Sequence, residues 1–186
     1  MNIFFLDRNP NVAAQYMCDK HVVKMIVETA QMLSTCHRML DGVLERRPSV
    51  SGKRMVPYYK LSDWREDVLY KAVHFKHPCN VWIRESAWNY EWLHEHFGAL
   101  LREYTVIYDK QHKCEQLYAP LSCIPNNIPD APRTKYPQAM PDDCKNKDIV
   151  RAYRNYYKKY KSNFATWKNR RTPIWWPLDH FKPLPQ

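Results

Sequence analysis

An all-α fold is what this sequence predicts: one compact domain over residues 1–186, built from about three long helices joined by long proline-rich loops. Three observations predict it. Proline-free stretches at 11–39, 80–110 and 148–169 carry apolar residues at helical spacing. The chain has only 3 glycines, too few for a hairpin-rich sandwich, a phosphate-cradling loop or a dinucleotide fingerprint, all of which need glycine where the backbone turns or meets a ligand. Its 14 prolines gather mostly in the middle loops and at the C-terminal end, which marks long irregular connections. At 186 residues the chain is long enough for one sizeable core and short for two.

The elements follow in order. After the apolar start Ile3-Phe4-Phe5-Leu6, the run Asp7-Arg8-Asn9-Pro10 supplies caps and a first-turn proline, so a long helix is expected from about Asn11 to Met39, stopped by Asp41-Gly42. Residues 42–78 read as a basic, breaker-rich loop with a short helix around Leu61 to Tyr70. A second long helix fits Asn80 to Lys110, with Trp82, Trp88, Trp92, Phe97, Leu100, Leu101 and Tyr104 as its apolar content. The prolines of 120–141 then space a loop. A third helix, Asp148 to Asn169, is basic and aromatic; Tyr153, Tyr156, Tyr160, Phe164 and Trp167 fall on a core face that leaves Arg154, Lys158, Lys161 and Lys168 outside. Trp175 and Trp176 in the tail read either as a packing lid or as a base-stacking wedge.

Charge bounds the partner. The excess of 29 Lys+Arg over 19 Asp+Glu gives +10 at pH 7, a field that concentrates polyanions, nucleic acid first and an anionic membrane second. No apolar run approaches a membrane span, and the start MNIFFLDRNP lacks the pattern of a signal peptide, so an intracellular, cytoplasmic protein is expected. Six cysteines without CxxC spacing fit reduced thiols. His74, His77 and Cys79 lie close in sequence, but no paired ligand spacing anchors a zinc site, and no metal or cofactor is expected. Lys76, His77 and Arg84 suit phosphate contact at a helix start. His94 and His96 read as surface residues.

Chemistry concentrates on the first helix. At 100° per residue His21, Lys24, Glu28 and Gln31 share one quarter of the circumference. Glu28 sits among Met25-Ile26-Val27 and Ala30, Met32 and Leu33, where a partly desolvated carboxylate can move protons. The plainer alternative is an ordinary Lys24–Glu28 ion pair on a solvated face.

Read whole, Asp19-Lys20-His21 followed by Glu28, with Ala13-Ala14-Gln15 ahead of it, resembles the first helix of the pyrimidine dimer DNA glycosylases, the phage endonuclease V family. Lys24, Glu28-Thr29-Ala30-Gln31, His77-Pro78, Trp82, Tyr90 and Leu93 resemble the bacterial relatives. The resemblance implies a compact helical fold, a catalytic carboxylate at Glu28, and an α-amine that attacks the sugar to form a Schiff base. In that family the initiator methionine is removed; here a side chain as large as Asn2 predicts that Met1 is kept, so the nucleophile is either the retained Met1 amine or, if strongly desolvated, Lys20 or Lys24. An α-amine is a weak enough base to be partly neutral near pH 7.

The leading expectation is therefore a monomeric DNA glycosylase and AP lyase acting on a damaged thymine or thymine dimer in double-stranded DNA. Its catalytic residues are Glu28, Met1, His21 and Lys24. Phosphate contacts fall to Lys20, Gln31, Lys76, His77, Arg84, Arg154, Lys158 and Lys161. The runner-up is an amino acid:DNA transferase of the kind phages use for thymidine hypermodification, with a free amino acid as co-substrate and Glu28 deprotonating it. A non-enzymatic basic DNA-binding module is the third reading.

Overall fold

The computed structural model describes residues 1–177; the last nine positions of the expected 1–186 domain, 178–186, lie outside the described residues. The elements are α1 (Pro10–Gln15), α2 (Asp19–Asp41), β1 (Val43–Pro48), β2 (Met55–Lys60), α3 (Arg65–Val68), α4 (Pro78–Ile83), α5 (Ala87–Tyr108) and α6 (Ile149–Tyr160), with short 3-10 turns at Lys113–Leu117, Pro120–Ser122 and Asp142–Cys144. α5 packs against both α1 and α2. Trp82, Tyr90, Trp92, Phe97, Tyr153 and Tyr157 are all but closed to solvent in the core between them. Among the described residues no helix is long and apolar enough to cross a membrane.

The all-α expectation is corrected by β1 and β2, which pair antiparallel from Val43↔Lys60 to Pro48↔Met55, so the fold is helical with one two-stranded ribbon. Each strand carries a proline, which hides the alternation that would announce it. Gly42 makes the exit from α2 possible, since a Cβ there would lie 2.4 Å from the Arg38 carbonyl oxygen. Gly52, at φ +70°, turns the tip of the hairpin.

Arg38 fastens the ribbon to the helices from inside. Buried to 1% exposure, it donates from Nε to the Tyr70 carbonyl (2.6 Å), from Nη1 to the Tyr59 carbonyl (3.0 Å) and Glu66 (2.7 Å), and from Nη2 to the carbonyls of Glu66 (2.8 Å) and Leu69 (2.9 Å). Glu66 also accepts from the Tyr58 hydroxyl and the Leu61 N–H. Such a charge is tolerated in the interior only because its donors are all occupied. Arg38→Ala takes the cationic partner from Glu66 and the side-chain donors from four carbonyls and is expected to cost about 3–5 kcal/mol, read from urea melts; a loss below about 1 kcal/mol would show the network to be dispensable.

The long helices are shorter than their sequence patterns. The first breaks between Gln15 and Asp19, because the C-terminal segment takes the carbonyls released there: Trp167 Nε1 donates to Tyr16 (3.1 Å) and Arg170 to Gln15 (3.4 Å) and Met17 (2.9 Å). Arg170 and the Lys168 N–H also bind the Asp19 carboxylate, each at its closest at 2.8 and 2.9 Å. The second breaks before Ser86, whose hydroxyl accepts the Trp88 N–H and caps α5. α3 occupies only the centre of the expected 61–70 helix. α6 starts at the Asp148 cap but ends at Tyr160, nine residues short of Asn169. Its buried tyrosines are Tyr153 and Tyr157, with Tyr160 exposed, because the core lies on the side facing residues 2–5. His96 is not a surface residue: it is fully buried, stacked on Trp92, with Nδ1 hydrogen-bonded to the Pro10 carbonyl. Trp176 is buried against Trp167, and Trp175 packs on Tyr16 and Tyr157, which fits the packing lid.

Candidate active site

The N-terminal segment is the innermost part of the site. Ile3, Phe4, Phe5 and Leu6 are buried, and the left-handed backbone at Phe4 (φ 57°) turns its ring onto His21 (centroids 4.6 Å apart) and Tyr156. Phe5 meets Trp82, Trp92 and Tyr136. A non-glycine residue in that conformation costs about 1–2 kcal/mol, so its surroundings hold it there.

Asn2 fixes where the chain starts. Its Nδ2 donates to the Ala139 carbonyl (2.8 Å), and its Oδ1 accepts from the Ile3 N–H (2.8 Å) and the Tyr153 hydroxyl (3.0 Å). Thus anchored, the Asn2 N–H donates to Glu28 Oε2 (3.2 Å) and the Met1 amine lies 3.5 Å from the same oxygen. Lys24, one turn earlier on α2, pairs with the other oxygen at 3.2 Å. The ordinary i,i+4 ion pair is therefore present, and the carboxylate carries a second, inner partner. Lys24 is 60% exposed and Glu28 15%, so the pair bridges solvent and interior. Asn80 donates to the Met1 sulfur and to the carbonyls of Val73 and His74, closing the wall behind the methionine.

The structure brings Met1, Lys24 and Glu28 together. His21 shares their stripe but faces inward, hydrogen-bonded through Nδ1 to the Tyr157 hydroxyl. Burial, then the nearby Lys161 and Lys24, push its pKa down to about 3, so the ring is neutral. It does not present itself to a phosphate. Lys20 is exposed with its ammonium over Phe164, and Lys161 lies half-buried over Tyr156. Gln31, half-buried, continues the stripe on the next turn.

His77 caps α4 by accepting the Cys79 N–H, and its pKa is lowered by burial, then by the N-terminal ammonium and His74. With exposed Lys76 it lines a shallow recess also bounded by His74 and Phe75. Arg84 donates to the Phe75 carbonyl (2.8 Å) and leaves Nη1 enclosed without a partner; burial lowers its pKa. Arg154, expected outside on a phosphate, has its guanidinium on the Leu6 carbonyl (2.9 Å) and Asp7 (3.2 Å), because α6 lies along the N-terminal segment. Lys158 sits beside Trp175. Cys79 is buried, its thiol pushed up to about 12 by that burial, and among the described residues no group of three His, Cys, Asp or Glu could hold a metal ion.

Asn2, Tyr153 and Asn80 are the members of this arrangement that sequence reasoning missed. The one available signal was Asn2 itself, a polar residue directly ahead of four apolar ones.

These features define a class: basic, largely helical proteins in which the chain's own α-amine is anchored on a helix-borne carboxylate. A family model for pyrimidine dimer DNA glycosylases matches residues 1–116, and the chain belongs to that family. The match takes in α1 to α5, the ribbon and both partners of the Met1–Glu28 contact; α6 lies beyond it. No curated protein and no solved structure matches the chain.

Proposed function

We propose that this protein is a DNA glycosylase with an AP lyase step, acting on pyrimidine dimers or damaged thymine in double-stranded DNA. The observation that carries the proposal is the approach of the Met1 amine to Glu28 at 3.5 Å, within single-water reach of a proton exchange. The Met1 amine attacks C1′ of the damaged nucleotide as the base departs with the glycosidic electron pair; the nitrogen then gives up a proton and expels O4′, which takes a proton as the sugar ring opens and leaves the protonated imine. Glu28 stabilises the cationic sugar, then removes the 2′ proton from the resulting imine so that the 3′ phosphate is eliminated.

His21 serves as a neutral positioning group that holds Phe4, and through it the N-terminal segment, in place. Flanking phosphates fall to Lys20, Lys24, Lys76, Lys158 and Lys161, whereas the Nη1 of Arg84 is enclosed and meets no phosphate in this arrangement. Gln31 and His77 border the same side, and the damaged or partner base leaves the stack to admit the site. The transferase reading needs no protein amine, so the anchored amine ranks it second.

Borohydride added during reaction with ultraviolet-irradiated duplex should trap a covalent adduct, and peptide mapping should place it on Met1, after intact mass has fixed the residue bearing the amine. An adduct on Lys20 or Lys24, or none alongside base release, overturns the Met1 mechanism. Pyrophosphate release requiring a free amino acid and a DNA with an activated base would install the transferase.

A further inference from the structure

We propose that the ribbon β1–β2 is a second contact with duplex DNA, seated in the major groove away from the Glu28 site; this rests on the DNA-directed reading above. Residues 43–60 carry five cations, Arg46, Arg47, Lys53, Arg54 and Lys60, against one carboxylate, Glu45. Arg47 is paired with Glu45 at 2.9 Å and stacked on Tyr58. The other four are exposed and meet no carboxylate among the described residues, which leaves four positive charges facing solvent.

The two faces of the ribbon differ. Val43, Glu45, Arg47, Val56, Tyr58 and, at the base of the ribbon, Lys60 alternate onto the face that is tied through the Tyr58 hydroxyl to Glu66. Leu44, Arg46 and Pro48, opposite Tyr59, Pro57 and Met55, form the other face, on which Leu44, Arg46, Pro48, Pro57 and Met55 are exposed. Val50, Gly52, Lys53 and Arg54 project at the tip.

Self-pairing is a poor explanation of this surface, because a proline in each strand and the exposed cations are the devices that stop sheet edges from pairing. A polyanion fits the charge, and the major groove of duplex DNA is wide enough for a two-stranded ribbon.

Position separates this contact from the lesion site. Glu28 and the end of α2 at Asp41 are thirteen residues apart on one helix, about 20 Å at 1.5 Å per residue. Each six-residue strand adds up to about 20 Å. At 3.4 Å per base pair the ribbon reaches duplex about 6–12 base pairs from the damaged nucleotide. The family's chemistry needs no such arm. The ribbon lengthens the footprint and gives the protein a hold on undamaged DNA.

The test compares the parent with Arg46→Ser/Lys53→Ser/Arg54→Ser/Lys60→Ser on duplexes of about 10 and about 30 base pairs that carry a central reduced abasic site to fix the register, across a salt series. On the long duplex the variant is expected to bind at least about tenfold more weakly and to lose about 3 from the slope of log K against log salt. On the short duplex the two should bind alike. Equal affinity and slope on the long duplex, or an equal loss on both lengths, overturns the proposal. The Lys53→Ser/Arg54→Ser variant, altered only at the tip, should lose about half as much slope, and Arg46→Lys/Arg54→Lys none; neither touches the Arg38 network, so a folding defect cannot mimic the pattern. A parent that binds neither duplex defeats the DNA-directed reading itself, whereas a parent that binds and a variant that matches it defeats only the ribbon's role.

Discussion

Glu28→Gln is expected to abolish turnover while leaving DNA binding within about threefold, a change below about 0.7 kcal/mol. The amide keeps the volume and an oxygen to accept the Asn2 N–H at its 3.2 Å position. It removes the negative charge that faces the Met1 amine and Lys24. An amide neither stabilises a cationic sugar nor takes the 2′ proton, so base release and strand cleavage fall together, by at least about a thousandfold, or about 4 kcal/mol of transition-state stabilisation. Single-turnover rates on irradiated duplex with saturating enzyme supply the number, and filter binding supplies the affinity. If the variant cuts at the parental rate, Glu28 is only the outer half of an ion pair and the enzyme reading loses its centre.

Acid should unfold the protein well before its carboxylates are protonated. Burial, reinforced at His21 by Lys161 and Lys24 and at His37 by Arg65, lowers the pKa of His21 to about 3 and of His37 to about 4; burial alone takes His96 to about 4. An unfolded histidine takes its proton near pH 6.5. Between 6.5 and the folded values the unfolded chain therefore binds protons that the native protein refuses, and stability falls as pH falls.

Each group contributes up to about 1.4 kcal/mol per pH unit, so three approach about 4 kcal/mol per unit below pH 6. That exhausts the stability of an ordinary domain within about two units. Glu66, which the Tyr58, Leu61 and Arg38 donors hold down at about 2 against the opposing effect of burial, has the opposite window: its stabilisation is present above the usual carboxylate range and is lost only from there down toward pH 2. Urea melts at pH 7, 6 and 5 should give a slope approaching three protons, and His96→Gln should remove one of them. A slope below one proton would show that these rings take up protons without unfolding.

What was legible in the sequence was local. The stripe His21–Lys24–Glu28–Gln31 needed only the helical period, and the caps Asn9 and Asp148 needed only their side chains. The breaks at 16–18 and 84–86 carry no proline or glycine. The first is stabilised by Trp167 and Arg170, about 150 positions away, so nothing nearby announces it. The ribbon was hidden for a related reason: Val-Leu-Glu-Arg-Arg-Pro and Met-Val-Pro-Tyr-Tyr-Lys are weak strands alone, and Arg38 and Glu66 make them a fixed element from outside their own segment. The aromatic content of α6 was plain, but which tyrosines turn inward depends on where Phe4 and Asn2 lie. At the site, spacing alone favoured an ordinary Lys24–Glu28 ion pair and the family resemblance singled out Glu28, whereas the approach of Glu28 to Met1 depends on Asn2 reaching Ala139 and Tyr153.

That last dependence sets an order of events in synthesis. Asn2 leaves the ribosome long before Ala139 and Tyr153, which hold it in place and are polymerised more than 130 residues later. Until then Ile3, Phe4, Phe5 and Leu6 have no complete interior to enter, and they are the apolar stretch most in need of shielding while the chain grows. Contacts spanning nearly the whole sequence also slow spontaneous folding. The Met1 amine and the Glu28 carboxylate are therefore fixed beside each other only after Ala139 and Tyr153 have been added and folded back onto Asn2.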